Sequence, residues 1–388
     1  MNVLFLTHSF PRSEGDAAGS FILRLAVALR GEGITVRVVA PAAPNLAASE
    51  EIEGITVDRF RYAPRRYERL AYTGNMASDV ASSWLAKLSL VGFLGSDFVH
   101  AVRARRSFEP EVVHAHWWFP NGVVGTWVGG LAHVPLVTTL HGTDVRLART
   151  VGVARPLFAH VLKHSAAVTT VSRWLRDETE SLAPGVRAQV APMPVATNLF
   201  EPGSARDGRT LLFVGRLNEQ KGLRHLLHAM ASMKTPAQLE VVGDGPDRES
   251  LRQLAGELGV APRIHWHGQL GQAALAPLYQ RASAIVLPSV DEGLGMVAVE
   301  ALLCETPVVA FDSGGLRDVI QHEKTGLLVK TGDRAQLAAT LDDVLARDGR
   351  GADLGRAGRL YALSAFAPES AARRYAEIYR QVLGRNAS

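Results

Sequence analysis

Apolar positions fall along this chain in short unbroken runs, each ending in small or polar residues and followed by a stretch with helical spacing. "NVLFLTHS" (2–9) is one run, "SFILRLAVALRGEG" (20–33) has helical spacing and a glycine stop, and "ITVRVVAP" (34–41) is the next run. Unbroken apolar runs predict strands buried on both faces, and strand–helix–strand order predicts a right-handed parallel unit. "VVHAHW", "PLVTTLHG" and "AAVTTVS" extend the strand series, with "RPLFAHVLKHS" and "RWLRDETESLA" as helices. The first half reads as an open α/β sheet.

The pattern restarts at "RTLLFVGRL" (209–217). "QLEVVGDG", "IHWHG", "AIVLPS" and "PVVAF" are short strands, separated by helical segments such as "GLRHLLHAMASM" and "RESLRQLAGELG". Residues 191–208, "APMPVATNLFEPGSARDG", have linker composition. The expected organisation is an N-terminal Rossmann-like domain (1–190), a linker (191–208) and a C-terminal Rossmann-like domain (209–367). An amphipathic last helix (368–388) is expected to pack back on the first domain. Two open parallel sheets facing an interdomain cleft would bind ligands at the carboxyl ends of their strands.

Size and composition narrow the class. A chain of 388 residues with 47% apolar residues can bury two cores. One cysteine, Cys304, permits no internal disulfide, which predicts a reducing, cytoplasmic compartment. "MNVLFLTHSF" lacks the basic start of a signal peptide. The most apolar long stretch, "WLAKLSLVGFLG" (84–95), contains Lys87 and falls short of the roughly 20 residues of a membrane span, so a soluble or membrane-associated protein is expected. A net charge of +4 suits anionic ligands or an anionic surface. Only six of the 42 basic residues are lysine, so a lysine inside a motif carries more information than usual.

The loops after the strands hold the candidate chemistry. In "FVGRLNEQKG" (213–222), Gly215 allows close backbone approach, while Arg216 and Lys221 offer a planar donor fork and a compact charge suited to a diphosphate. Solvated surface cations are the plain alternative. "VVGDGPDRE" begins like a dinucleotide fingerprint, but Arg248 stands where the third glycine belongs, which disfavours a dehydrogenase. "PSVDEGLGMVAVEALL" (288–303) sets Glu292 on a glycine turn and Glu300 eight residues on, in a helical run. Gly293 and Gly295 can turn amide N–H groups toward an anion, and each carboxylate can accept hydrogen bonds from sugar or ribose hydroxyls. The alternative is a helix capped by Ser289 or Asp291, with Glu300 in a buried ion pair. "HAHWWFPNG" places His114 and His116 on one face of a strand, but no carboxylate or cysteine nearby completes a metal site. Packing, or contact with a sugar face through Trp117 and Trp118, fits better. "TTLHGTDV" puts His141, Gly142 and Asp144 just past another strand.

As a set these motifs resemble the retaining glycosyltransferases of family 4, which have the two-domain GT-B fold, and the resemblance covers nearly the whole chain. "PSVDEGLGMVAVEAL" looks like the family's E-x7-E motif, "GRLNEQKG" like its phosphate loop and "GDGP" like its usual turn. "FDSGGLRDVI", "TGLLV", "HGTD" and Gly19 also match. The resemblance implies that Arg216 and Lys221 hold the donor diphosphate and that Glu300 binds the ribose. It implies that Glu292 and the amides of Gly293, Leu294 and Gly295 bind the donor sugar. His141 would line the reacting sugar, Gly19 and Gly215 would admit the phosphates, and the segment around His265 and Trp266 would contact the base, mainly through backbone. His116, Trp117 and Asp144 are acceptor-side candidates. No D-x-D occurs in the sequence, so no metal and no cofactor are expected; the nucleotide-sugar is a substrate. Three departures stand out: Leu294 replaces the usual phenylalanine, Asp318 the frequent glutamate, and "PMPVATNLF" the usual asparagine-glycine-valine-aspartate segment.

For the acceptor, "RFRYAPRRYERLAY" mixes Arg59, Arg61, Arg65, Arg66 and Arg69 with Phe60, Tyr62, Tyr67 and Tyr72, which suits anionic lipid head groups. An ordinary solvated surface accounts for the same residues equally well. The expected partners are a UDP- or GDP-sugar donor and a sugar or lipid-linked acceptor in cell-envelope polysaccharide or glycolipid synthesis. Peripheral contact with the inner face of the membrane is included, and nucleic acid is not. A non-catalytic nucleotide-sugar-binding protein and a nucleotide-sugar epimerase on the same scaffold are the competing functions.

Overall fold

The computed structural model describes residues 1–72, 76, 79–80, 83–203, 206, 208–346 and 350–384. It divides into two compact units, Met1–Pro194 with Pro368–Ser388, and Val195–Ala367.

The first unit holds an eight-stranded sheet. Its strands are β1 (Asn2–Leu6), β2 (Thr35–Pro41), β3 (Ser49–Ile52), β4 (Ile55–Phe60), β5 (Val112–His116), β6 (Leu136–Leu140), β7 (Ala167–Thr170) and β8 (Ala188–Val190), in the order β3-β4-β2-β1-β5-β6-β7-β8. All neighbours are parallel except the β3–β4 pair. The strands β1, β5, β6 and β7 are buried almost throughout, which explains their unbroken apolar runs. The second unit holds β9 (Thr210–Val214), β10 (Gln238–Val242), β11 (Ile264–Gly268), β12 (Ala284–Leu287), β13 (Val308–Phe311) and β14 (Leu327–Val329), all parallel, in the order β11-β10-β9-β12-β13-β14. One of the two central strands, β9, ends at Val214, so the loop that follows leaves from the middle of the sheet.

The β3–β4 hairpin and β8 are additions to the strands expected from the sequence. The hairpin turns through Glu53 (φ 49°) and Gly54 (φ 77°), the two positive-φ positions that a tight turn between antiparallel strands requires. Its sequence, "SEEIEGITVDRF", is too charged to read as an apolar run.

The same hairpin corrects the reading of residues 59–72 as a surface patch. Arg59 is 2% exposed, and Phe60 and Tyr62 are buried with it. Its Nε donates to Glu50 Oε1 (2.7 Å), Nη1 to Tyr72 Oη (3.1 Å) and Nη2 to the Pro11 carbonyl. Arg61 pairs with Glu68 at 2.8 Å, which leaves Arg65, Arg66 and Arg69 of this stretch exposed without an ion pair among the described residues.

The apolar stretch at 84–95 is also longer than its composition suggested. A helix runs over Trp84–Phe108, capped by Ser83, whose hydroxyl accepts from the Ala86 N–H. By length and composition it is long and apolar enough to cross a membrane. One face, with Phe93, Asp97, Ala101 and Ala104, is buried against the first sheet. Trp84 (67% exposed), Leu88 (58%) and Val91 (68%) lie on the open face. The Ser96 hydroxyl donates to the Arg61 carbonyl at 2.8 Å, which sets the exposed arginine loop beside that face.

Removing the guanidinium of Arg59 strands Glu50 and frees the Pro11 and Tyr72 acceptors. Arg59→Leu is therefore expected to lower the stability of the first unit by about 3 kcal/mol. Urea unfolding of the two proteins at constant slope checks it.

Candidate active site

In the second unit, the loop after β9 makes a short 3-10 turn at Glu219–Lys221. Asn218 caps the turn by accepting from the Lys221 N–H at 3.1 Å. Gly222 follows at φ 68° and starts the helix Leu223–Ser232. The turn is stitched to the loop after β12: the Val290 N–H donates to the Gln220 carbonyl at 2.8 Å, and Gln220 Nε2 to the Asp291 carbonyl at 3.0 Å. These bonds bring together two side chains 71 residues apart, and Lys221 Nζ donates to Glu292 Oε2 at 2.6 Å.

A third loop holds the Glu292 turn from behind. The Gly315 N–H donates to the Glu292 carbonyl at 2.7 Å, and the Asp291 N–H to Ser313 Oγ at 2.9 Å. A Cβ on Gly315 would lie 2.1 Å from the Gly293 carbonyl oxygen, so the "SGG" segment packs backbone on backbone. Leu294, one of the departures, is buried in this turn.

Glu300 lies in the helix Met296–Leu303 and is 5% exposed. Tyr279 Oη donates to its Oε2 at 2.8 Å and Gln272 Nε2 to its Oε1 at 3.3 Å. The helix begins at Gly295 (φ 89°) with no side-chain cap, so the alternative of a Ser289 or Asp291 cap does not hold. Tyr279 and Gln272 carried no signal in the sequence, because their role depends on the helix Gln272–Arg281 lying beside Glu300. On β11, Trp266 packs toward the core under Arg252, at 5.6 Å, while His265 is exposed.

In the first unit, His141 follows β6 and belongs to a buried aromatic group. Trp117 stacks between His8 (ring centroids 4.2 Å apart) and His141 (4.3 Å). His116 Nδ1 hydrogen-bonds His141 Nε2 at 3.2 Å. His116 is fully buried, and its Nε2 has no hydrogen-bond partner among the described residues. Asp144 is buried as well and acts on the backbone: Oδ1 accepts from the N–H groups of His141, Gly142 and Val145 at 2.9–3.1 Å, and Oδ2 from that of Trp118 at 3.3 Å. Both residues thus shape the His141 loop. His114 is committed to Tyr379 (2.7 Å) and Thr139 (2.6 Å). Gly19 starts the helix Ser20–Leu29 at φ 68°, and a Cβ there would lie 2.2 Å from the Ser9 carbonyl oxygen, which explains the glycine by packing alone.

Burial governs the protonation of this group. It lowers the His8 pKa to about 4 and that of His114 to about 3, and holds those of His116 and His141 well below the ordinary value. Burial raises the Asp144 pKa to about 6 against the opposing pull of the four N–H groups, and raises that of Asp97 well above the usual range.

Comparison with known proteins agrees with this geometry. Residues 17–196 match the model of the glycosyl transferase 4-like domain, and residues 195–361 that of the glycosyl transferases group 1. The chain is 30% identical to a D-inositol 3-phosphate glycosyltransferase of Thermobispora bispora, over 96% of this chain and 91% of that protein. It is also 30% identical to a phosphatidyl-myo-inositol mannosyltransferase of Mycobacterium leprae, over 85% and 83%. Among solved structures, sucrose-phosphate synthase from Thermosynechococcus elongatus superposes with a TM-score of 0.81 at 23% identity, covering 99% of both chains. Anabaena HepE in complex with UDP superposes with a TM-score of 0.74 at 19% identity, covering 98% of this chain and 100% of that one. The fold is of the GT-B type. The chain belongs to the group 1, family 4 glycosyltransferases, and it is a retaining hexosyltransferase.

A neutral histidine array sets a direction for acid sensitivity. Each imidazole has a folded pKa below its ordinary 6.5, so its contribution to stability is present above about pH 6.5. That contribution is lost as pH falls toward about 4 for His8 and about 3 for His114, at about 1.4 kcal/mol per pH unit per histidine. Asp144 acts with the opposite sign: its contribution is greatest below the ordinary 3.8 and is lost as pH rises through about 6. Four imidazoles outweigh the two buried carboxyls, so thermal unfolding of the first unit is expected at a lower temperature near pH 5 than near pH 7.5. A midpoint that rises on acidification would show that the carboxyls outweigh the histidines and would overturn this expectation.

Proposed function

We propose that this glycosyltransferase moves a hexose from a UDP- or GDP-sugar to a hydroxyl of a lipid-linked or membrane-proximal acceptor, without a metal, in cell-envelope polysaccharide or glycolipid synthesis at the cytoplasmic face. The observation that carries the donor half is the meeting of Lys221 and Glu292 at 2.6 Å, on loops that leave the carboxyl ends of β9 and β12. HepE, solved with UDP and with UDP-glucose, supports a uridine donor. The phosphatidyl-myo-inositol mannosyltransferase relative supports a lipid-bound acceptor.

In this reading the bond between the anomeric carbon and the diphosphate oxygen breaks, and negative charge grows on the leaving group. Arg216 and Lys221 neutralise it electrostatically. The acceptor oxygen bonds to the same face of the anomeric carbon, and its proton passes to the departing phosphate, so the configuration is retained. Glu292 and the amides around Gly293 and Gly295 hold sugar hydroxyls. Glu300 holds the ribose, with Tyr279 and Gln272 fixing its carboxylate. His141 lines the sugar, with His116 setting its ring orientation.

Incubation with a panel of UDP-, GDP- and ADP-sugars in the presence of chelator is expected to release nucleoside diphosphate from one donor. Lys221→Ala is expected to slow that release by about a hundredfold, the size seen when one charge-stabilising donor is removed. A donor that binds and is never turned over with any acceptor would favour a binding protein instead. Turnover to an epimeric nucleotide-sugar without acceptor would favour an epimerase.

The open face of the Trp84–Phe108 helix, flanked by Arg65, Arg66 and Arg69, supports the membrane contact. Vesicles containing anionic lipid are expected to retain the protein at low salt, and Leu88→Glu with Val91→Glu to abolish retention. Equal retention by neutral and anionic vesicles, or none, would remove the electrostatic part of this reading.

A further inference from the structure

The edge of the second sheet holds a cluster that joins His265, the base-contact candidate, to two residues the transfer chemistry does not use. In the parallel β10–β11 pair, Glu240 lies opposite His265. A register shift beyond Val241 pairs Val242 with Gly268, and His267 is the residue passed over. His265 and His267 are two apart on one strand, so they share a face, while Trp266 between them turns into the core. The two imidazole rings meet edge to face at 4.3 Å, and His267 Nε2 contacts Glu240 Oε2. One donor atom from each of the three side chains lies within 4.8 Å of the others.

From this we propose that Glu240, His265 and His267 form a binding site for a divalent transition-metal ion, with zinc the best match. Two imidazoles and one carboxylate are the donor set of borderline ions such as zinc, cobalt or nickel, whereas magnesium and calcium prefer oxygen throughout. Ligand atoms around tetrahedral zinc lie roughly 3.4 Å apart, so small side-chain rotations close the present spacing. The backbone is already in place, because two neighbouring strands carry all three groups. Arg281 Nη2 donates to Glu240 Oε1 at 3.3 Å, which anchors one carboxylate oxygen and leaves the other toward His267. His265 is exposed, which leaves the cluster an open side for the ion and a completing water. The histidine pair that shares a face on β5 cannot serve, since His114 is already bonded to Tyr379 and Thr139.

Glu240 and His267 take no part in the transfer chemistry proposed above, while His265 is shared with the candidate base-contact segment. An ion there ties the edge strand β11 to β10 and stabilises the second unit. Chelator effects on activity would then act through the stability of this unit, and a chelation test of the transfer step needs the metal-site variant beside it.

The test uses the full-length, untagged, demetallated protein titrated with zinc chloride by calorimetry, alongside thermal unfolding. One equivalent is expected to bind and to raise the unfolding midpoint. Affinity is expected to fall at least about tenfold in His267→Gln and in Glu240→Gln. Cobalt(II) offers a second readout: visible d–d bands in the parent protein, lost in His267→Gln. Absence of saturable binding would overturn the proposal. So would binding that survives both substitutions but is lost in His160→Gln, since it would assign the ion to the exposed His160–His164 pair.

Discussion

The donor half of this enzyme rests on one contact between two stretches of backbone. Gly315 gives its N–H to the Glu292 carbonyl at 2.7 Å and leaves no room for a Cβ against Gly293. That contact fixes the turn after β12, and the turn fixes how far the Glu292 carboxylate reaches. From the other side, the Gln220 carbonyl fixes the 3-10 turn that presents Lys221. Loops after three different strands must therefore be in register before the two side chains can meet. Such backbone contacts tolerate no side chain, and this is the physical content of the "SGG" segment, which the sequence shows only as a string of small residues.

The two glutamates of that stretch are set to different tasks by their surroundings. Glu292 and Lys221 keep part of their side chains in water, where an ion pair contributes at most about 1 kcal/mol to stability. Such a pair costs little to rearrange and leaves both groups available to a ligand. Glu300 is buried, and a carboxylate there is tolerable only with hydrogen-bond donors in place, which Tyr279 and Gln272 supply. Its position is consequently fixed by the fold. One carboxylate thus stays adaptable and the other, eight residues on, is held by the fold.

The parallel strands were legible because burial on both faces leaves an apolar run with little else in it. The loop that carries Lys221 and the turn that carries Glu292 were legible as loops because they follow such runs directly. What escaped was everything whose meaning depends on a distant partner. The β3–β4 hairpin is half charged, and its arginine looks like surface until Glu50, Tyr72 and the Pro11 carbonyl are seen around it. Tyr279 is an unremarked aromatic in a helix until Glu300 lies against it. The length of the Trp84–Phe108 helix is hidden in the sequence because its apolar stretch gives way to Asp97 and then to basic residues. The helix continues with Asp97 turned inward, where Asn121 Nδ2 donates to it at 3.2 Å.

The buried histidines of the first unit follow the same logic as Glu300, with the opposite outcome for charge. Desolvation holds His8, His114, His116 and His141 toward the neutral form. Of these, the half-buried His8 and His141, with Trp117 between them, can face a sugar ring without adding charge. In the proposed reaction the charge that develops belongs to the leaving diphosphate, and Arg216 and Lys221 are the groups assigned to it. A cationic histidine beside the sugar would oppose the positive character that its anomeric carbon gains as the bond breaks. Uncharged rings at His8 and His141 are therefore compatible with the proposed transfer, in which the cations belong on the diphosphate side.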